Sequence, residues 1–273
     1  MNNRNIKAQE KIKSLINLYN TSNFNMVISN SKKIIKEFPE FVITYNLLGS
    51  AYQNTGKLNF AKEIFIKGLK LDPTNIPIIN NLANTYKYLG KIDKAESLFK
   101  KLIEENPDYI NVYINFGNLK RDINDFKSAI ELYNKALVVN NKVYTKPNDK
   151  MTVIYYSLAL AYQGLGEFEK ATDYAKKSLL IDKKFTQADM LISQSIKYDI
   201  DTPHYIEMKN KIIDPELNNE QKFNLNFALA KAHEDLGNIG EAFKNLKDGN
   251  NIKRETINYN INDEKILFNN IKK

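Results

Sequence analysis

The chain has no cysteine, which removes disulfides, thiolate metal sites and cysteine nucleophiles together. Its two histidines, His204 and His233, are too far apart in sequence to form an HxxxH-type metal pair. Ten glycines and seven prolines are few for 273 residues; long regular elements with short connections follow, not a many-turned β-sandwich. No apolar run approaches the ~18 residues of a membrane helix. The opening MNNRNIKAQEKIKSLINLYN lacks the apolar stretch of a secretion signal. A cytoplasmic protein without a membrane segment is expected. The motifs of reactive sites are missing as well: no GxxxxGK[ST] or GxGxxG to cradle phosphate, no GxSxG, no HExxH, no kinase signature. The acidic pieces DINDF and INDEK lack calcium-loop spacing. No catalytic residue, metal or cofactor is expected, and a lone histidine without nucleophile or oxyanion donors is not an active site.

What is present is a globular composition, 42% hydrophobic and 26% charged, enough for a core and too apolar for wholesale disorder. The formal charge of +8 comes from 40 Lys and Arg against 32 Asp and Glu, spread along the whole chain. A scattered field of this kind governs solubility and weak association. An RNA-binding solenoid is kept as a second alternative, and it predicts steep salt dependence.

Periodicity carries the main information. When YNLLGSAYQNTGKLNFAKEIFIKGLKLDP is set above INNLANTYKYLGKIDKAESLFKKLIEENP, Tyr52 falls on Tyr86, Gly56 on Gly90, Ala61 on Ala95, Phe65 on Phe99 and Pro73 on Pro107. One further step reaches Gly117, Asn124, Ala129, Tyr133 and Ala136. Leu82, Tyr86 and Leu89, then Ala95, Leu98, Phe99, Leu102 and Ile103, have the spacing of buried helical faces, so each unit is two helices. Gly90 divides the pair as a left-handed helix end, and Pro107 stops the second helix. Gly49, Ala83, Gly117 and Ala159 share one small-residue position; Ala61, Ala95, Ala129, Ala171 and Ala242 share another, where a larger side chain would overpack the junction.

This pattern resembles the tetratricopeptide repeat. The resemblance implies an all-α, right-handed superhelical solenoid of about seven helix hairpins. The units start near Ala8, Val42, Ile76, Ile110, Thr152, Thr186 and Phe223, and together make one body over residues 1–249. Residues 142–151, with Pro147, read as an inserted loop. The first unit reads as a degenerate end cap, and the sixth is degenerate in its second helix, which Pro203 begins. Lys120 stands where an aromatic is expected and Ala175 where a large apolar residue is expected; both suggest weak local packing. His233 fills an aromatic slot of the core, while His204 is expected at the surface. Most of the 16 Tyr and 14 Phe fall in core slots, which favours packing over base stacking.

The family also implies a function: a non-catalytic scaffold that binds a peptide or protein on a concave face lined by the first helix of each pair. The register places Asn46, Gln53, Asn80, Asn84, Lys87, Tyr88, Asn118, Arg121, Tyr156 and Gln163 there, with Ser50 and Ile114 among them. Asparagine amides can pair with an extended backbone, and Lys87 with Arg121 can meet a carboxylate. The family's carboxylate clamp uses Lys and Asn at similar places, but its full set is not matched.

The end of the chain has a further resemblance. Gly249 is expected to cap the last repeat helix, with 250–273 a linker and the start of a helix. Asn262 would be that helix's N-cap, Asp263 and Glu264 its acidic first turn, and Ile261 with Ile266 a staple. Ala242, Phe243, Leu246, Gly249, Asn250, Arg254, Tyr259, Asp263, Phe268 and Ile271 resemble the junction of bacterial proteins in which tetratricopeptide repeats precede a sulfotransferase domain. The resemblance implies a sulfotransferase catalytic domain as partner, or this chain as the repeat half of a split or truncated enzyme. The donor-binding loop of that family is not in the sequence, so no catalytic residue carries over.

Overall fold

The computed structural model describes residues 3–257; the expectations placed on Tyr259, Ile261, Asn262, Asp263, Glu264, Ile266, Phe268 and Ile271 lie outside them. Among the described residues there are fourteen helices, paired into about seven hairpins. The chain folds as two compact units, Met1–Val139 and Asn140–Lys273. The first contains α1 (Asn3–Asn20), α2 (Phe24–Glu37), α3 (Val42–Asn54), α4 (Leu58–Leu71), α5 (Ile76–Tyr88), α6 (Ile92–Glu105) and α7 (Ile110–Asp122), and most of α8 (Phe126–Val143). The second contains α9 (Asp149–Gly164), α10 (Phe168–Ile181), α11 (Thr186–Ser195), α12 (Pro203–Lys211), α13 (Asn219–Asp235) and α14 (Ile239–Ile257).

Six of the hairpins turn through one left-handed residue. Gly56, Gly90, Gly166 and Gly237 have φ of 70–77°, and the same position holds Ser22 at 57° and Asn124 at 61°. Asparagine is the residue best able to replace glycine there, since its short polar side chain tolerates this region. The degenerate first hairpin therefore keeps its turn through Ser22, while the sixth has no such residue.

In the first unit the small-residue positions meet aromatic rings. A Cβ on Gly49 would overlap the ring of Phe65, and one on Gly117 would lie 2.5 Å from Tyr133 Cε1. Phe65, Phe99 and Tyr133 are fully buried. The repeat thus trades a missing side chain on one helix for a ring on its partner. The continuous core of Leu15, Val27, Phe38, Leu48 and Phe65 shows why the hairpins stack: none covers its own apolar stripe alone.

Several expectations are corrected. Segment 142–151 is half helical, because α8 has 18 residues and α9 has 16. Only 144–148 remains a connection, closed by Asn148, whose side chain accepts from the backbone N–H groups of Lys150 and Met151 at 3.0 and 3.3 Å. Gly249 is no cap. It lies inside α14, where a Cβ would come 2.7 Å from Phe227 Cε2, so its role is close approach of α14 to α13. The expected break at 249/250 accordingly falls within a helix. Lys120 is not a packing defect, for its Nζ donates to Glu96 Oε1 at 2.6 Å and lies 5.5 Å from the Phe116 ring centroid. Ala175 is fully buried in an alanine-rich core, beside a stack of Tyr162 on Tyr174 with centroids 5.3 Å apart. Pro203 opens α12 as expected.

Candidate functional site

In the first unit, the amides assigned to partner binding are largely paired with other groups of the chain itself. Asn46 Oδ1 accepts from Asn81 Nδ2 at 2.9 Å, and Asn81 also reaches Ser50 Oγ at 3.2 Å. Asn80, which is buried, accepts from Asn115 Nδ2 at 3.0 Å. Gln53 Nε2 donates to the Asn81 carbonyl at 3.3 Å. These bonds stitch α3 to α5 and α5 to α7. Burial without a partner would cost each amide roughly 1–3 kcal/mol, so the pairing is what permits amides here. Asn118 turns toward its own hairpin partner, accepting from the Tyr133 hydroxyl at 2.8 Å.

The carboxylate expected from a ligand is supplied by the chain itself. Lys87 Nζ donates to Asp122 Oδ2 at 2.9 Å, and Arg121 Nη2 meets Asp122 Oδ1 at 3.3 Å. The Lys87 side chain is only 9% exposed, and its ammonium lies 4.6 Å from the Tyr88 ring centroid. Asp122 was missed by sequence reasoning. The signal was there: Asn46 to Asn81, Asn80 to Asn115 and Lys87 to Asp122 share one offset of 35 residues. What the first unit leaves available on this face is Asn84, half-buried, and the exposed Tyr88.

In the second unit, Tyr156 packs edge-on against Phe185 with centroids 5.1 Å apart, and Gln163 Nε2 donates to Gln194 Oε1 at 3.3 Å. Beyond Gln194 lies an open groove of about 540 Å³. Its floor is Phe227 and Ala230 of α13; one wall is Met190 and Ser193 of α11, the other Ile239, Phe243 and Leu246 of α14. By register Met190 and Phe227 occupy the position that Asn46 and Asn80 hold in the first unit. Ile239 and Phe243 are 65% and 69% exposed. Grouped apolar exposure of this kind marks an interaction surface more often than chance. Lys231 is held by Asp235, and Glu234 stands with it on the groove's edge.

His204 is the second residue that sequence reasoning misplaced. It is buried, not at the surface: Nε2 lies 3.1 Å from Asp189 Oδ1 and Nδ1 lies 2.7 Å from the Tyr198 hydroxyl. Asp189 is fully buried and also accepts from Lys211 Nζ at 2.8 and 2.7 Å. Burial pushes the Tyr198 phenol far above its ordinary value, reinforced by the negative charges of Asp189 and Asp235. The phenol therefore keeps its proton, and its O–H faces Nδ1 while Nε2 faces Asp189. The row resembles a proton relay in composition, but it is enclosed and has no nucleophile. Its work is to anchor the short α12 to α11. His233 sits edge-on to Tyr205 at 5.6 Å, and burial lowers its pKa below the usual histidine range.

The comparisons agree with this architecture. Tetratricopeptide repeat models match residues 43–75, 64–97 and 108–184, so these stretches carry tetratricopeptide repeats. Among solved structures it is similar to Pseudomonas aeruginosa pilF, at 17% identity and TM-score 0.57, covering 78% of this chain and 97% of that one. A tetratricopeptide repeat protein from Parabacteroides merdae aligns at 17% identity and TM-score 0.55, over 90% and 93% of the two chains. Yeast Tom70 aligns at 19% identity and TM-score 0.55, over 90% of this chain and 46% of Tom70. At such identities the likeness concerns the fold alone. No curated protein matches the sequence. No helix among the described residues is long and apolar enough to cross a membrane, and no group of three or more potential metal ligands occurs among them.

Proposed function

We propose that the chain is a non-catalytic scaffold that binds a polypeptide segment, and that the groove between α11, α13 and α14 is its principal site. The observation that carries this is the grouping of Phe227, Ile239, Phe243 and Leu246 around an open cleft of about 540 Å³. A helix or strand with two or three large apolar side chains fits such a cleft. Asn84 and Tyr88 of the first unit, with Lys87 and Arg121 behind them, form a lesser polar contact surface. The test is binding of the 273-residue chain to an array of amphipathic and extended peptides. Phe243→Asp should reduce capture at least about tenfold, the loss of one buried aromatic anchor. The combined Asn84→Ala, Lys87→Ala, Arg121→Ala variant should reduce it less. Capture unaltered by Phe243→Asp removes the groove as the site.

A narrower form of the proposal names a sulfotransferase catalytic domain as partner. It rests on the resemblance at the end of the chain, of which Ala242, Phe243, Leu246, Gly249, Asn250 and Arg254 lie in α14. Purified chain mixed with such a domain should form a stable complex by size-exclusion chromatography; elution as two separate species removes this form and leaves the broader one. RNA binding at the basic surface would show as affinity falling steeply between low and moderate salt.

A further inference from the structure

The helices α4, α6 and α10 each receive the first helix of the following hairpin, and they do so by one pattern. On the receiving side stand an alanine and, four residues later, a second core residue: Ala61 and Phe65, Ala95 and Phe99, Ala171 and Ala175, all fully buried. On the incoming side stand two apolar residues at i and i+4. Ile78 and Leu82 of α5 share a core cluster with Ala61 and Phe65. Phe116 of α7, four residues after Val112, stacks on Phe99 with ring centroids 5.5 Å apart. Ala188 and Ile192 of α11 share a cluster with Ala171 and Ala175. The incoming residue at i+3 meets the preceding first helix instead: Asn81 bonds Asn46 of α3, and Asn115 bonds Asn80 of α5.

The groove between α11, α13 and α14 repeats the receiving half of this pattern. Ala242 and Leu246 stand on α14 where Ala61 and Phe65 stand on α4. Both line the groove, and Leu246 is 39% exposed where Phe65 is fully buried. On α13, Phe227 stands where Asn46 and Asn80 make their amide bonds, and it has no amide to offer. An incoming residue at i+3 must therefore be apolar, since a polar one would be buried without a partner. The second unit already obeys this rule: α11 carries Met190 at that place, and α13 carries the buried Ala228 at its own i+3.

We propose that the groove takes an α-helix of a separate polypeptide as α4 takes α5, with apolar residues at i and i+4 against Ala242 and Leu246 and a third at i+3 against Phe227. This rests on reading the groove as a polypeptide site and narrows the client to a helix. A strand does not meet the pattern, because its side chains alternate and cannot gather i, i+3 and i+4 on one face. A second copy does not meet it either. In α3, α5, α7, α9, α11 and α13 the i, i+4 pair, such as Ile154 with Leu158 or Leu225 with Leu229, is already buried within its own chain.

The test is fluorescence anisotropy of the 273-residue chain with three labelled peptides. The first is a side-chain-stapled helix with leucines at i, i+3 and i+4. The second is a stapled helix of the same composition with its leucines dispersed around the axis. The third is an extended peptide with leucines at alternate positions and a central proline that bars the helix. The first should bind at least about tenfold more tightly than either of the others, and Leu246→Asp should weaken it at least about tenfold, because a charge replaces an apolar contact. Phe243→Asp, at a more exposed position of the same wall, supplies the same reading if Leu246→Asp does not fold. Three outcomes overturn the proposal: no binding of the first peptide, equal binding of the dispersed one, or a dimer of the chain that Phe243→Asp abolishes, which would give the groove to a second copy. The helical client and the groove itself fail in different ways. Tightest binding of the extended peptide, lost in Phe243→Asp, removes the helix and leaves the groove. Tight binding of the first peptide that neither substitution weakens removes the groove.

Discussion

The first and second units solve the same packing problem with different chemistry. In the first, the hairpins hold large rings against glycines, as Phe65 does at Gly49 and Tyr133 at Gly117, and their first helices are joined by amide pairs. In the second, the equivalent core is built from Ala159, Ala171, Ala175 and Ala188, and the degenerate sixth hairpin is fixed by the buried row Lys211, Asp189, His204 and Tyr198. The positions that hold Asn46 and Asn80 in one unit hold Met190 and Phe227 in the other. A repeat that satisfies its amides internally closes its face, while one that places apolar residues there leaves a face for something else.

The largest expected effect lies in the buried row. Asp189→Asn removes the charge that compensates Lys211 and bonds His204, and breaking a buried pair in this way costs about 3–5 kcal/mol. Urea unfolding followed by hydrogen exchange should show the loss concentrated in 186–235; an effect spread evenly over both units would erase the contrast drawn here. Next comes Gly117→Val, which drives a branched side chain into Tyr133 and should cost about 1–3 kcal/mol, with the loss confined to the first unit. Asn81→Ala removes two side-chain hydrogen bonds between α5 and α3, to Asn46 and Ser50, and should cost about 1 kcal/mol or somewhat more. If it is neutral by thermal unfolding, the ladder is ornament and not structure.

The smallest effect is a pH dependence. Burial holds the His233 pKa below its ordinary 6.5, so in the acid range the unfolded chain binds the proton more readily than the folded one. The contribution of neutral His233 is fully present above pH 6.5 and is lost as pH falls through the lower folded value. His233→Phe should flatten the melting temperature between neutral and mildly acid pH relative to the parent, and an unaltered slope would assign that acid sensitivity to other groups.

The fold was legible because its signals are local and repeated. Gly56, Gly90 and Pro73, Pro107 mark helix ends every 34 residues, and six hairpins reuse one turn conformation even where Ser22 or Asn124 replaces glycine. The errors have a common cause. Gly249 was read as a cap because a missing Cβ serves both a left-handed turn and a close helix crossing, and only Phe227, 22 residues earlier, tells them apart. His204 was read as exposed because its partners Asp189 and Lys211 come from a hairpin whose sequence pattern is broken. The proposed contact residues were found by position but not by state. Their register is a property of one helix, while their occupation by Asn81, Asn115 and Asp122 is a property of its neighbour.

That shared offset of 35 residues has a consequence for the order of the repeats. An amide at Asn80 is tolerable only beside a neighbour that offers Asn115, and Asn46 only beside one that offers Asn81. Exchanging or deleting a middle repeat, which a purely greasy stack would absorb, would strand the buried Asn80 without water or mate and leave the half-buried Asn46 without its partner. The modules look interchangeable in outline, yet each is addressed to a particular successor.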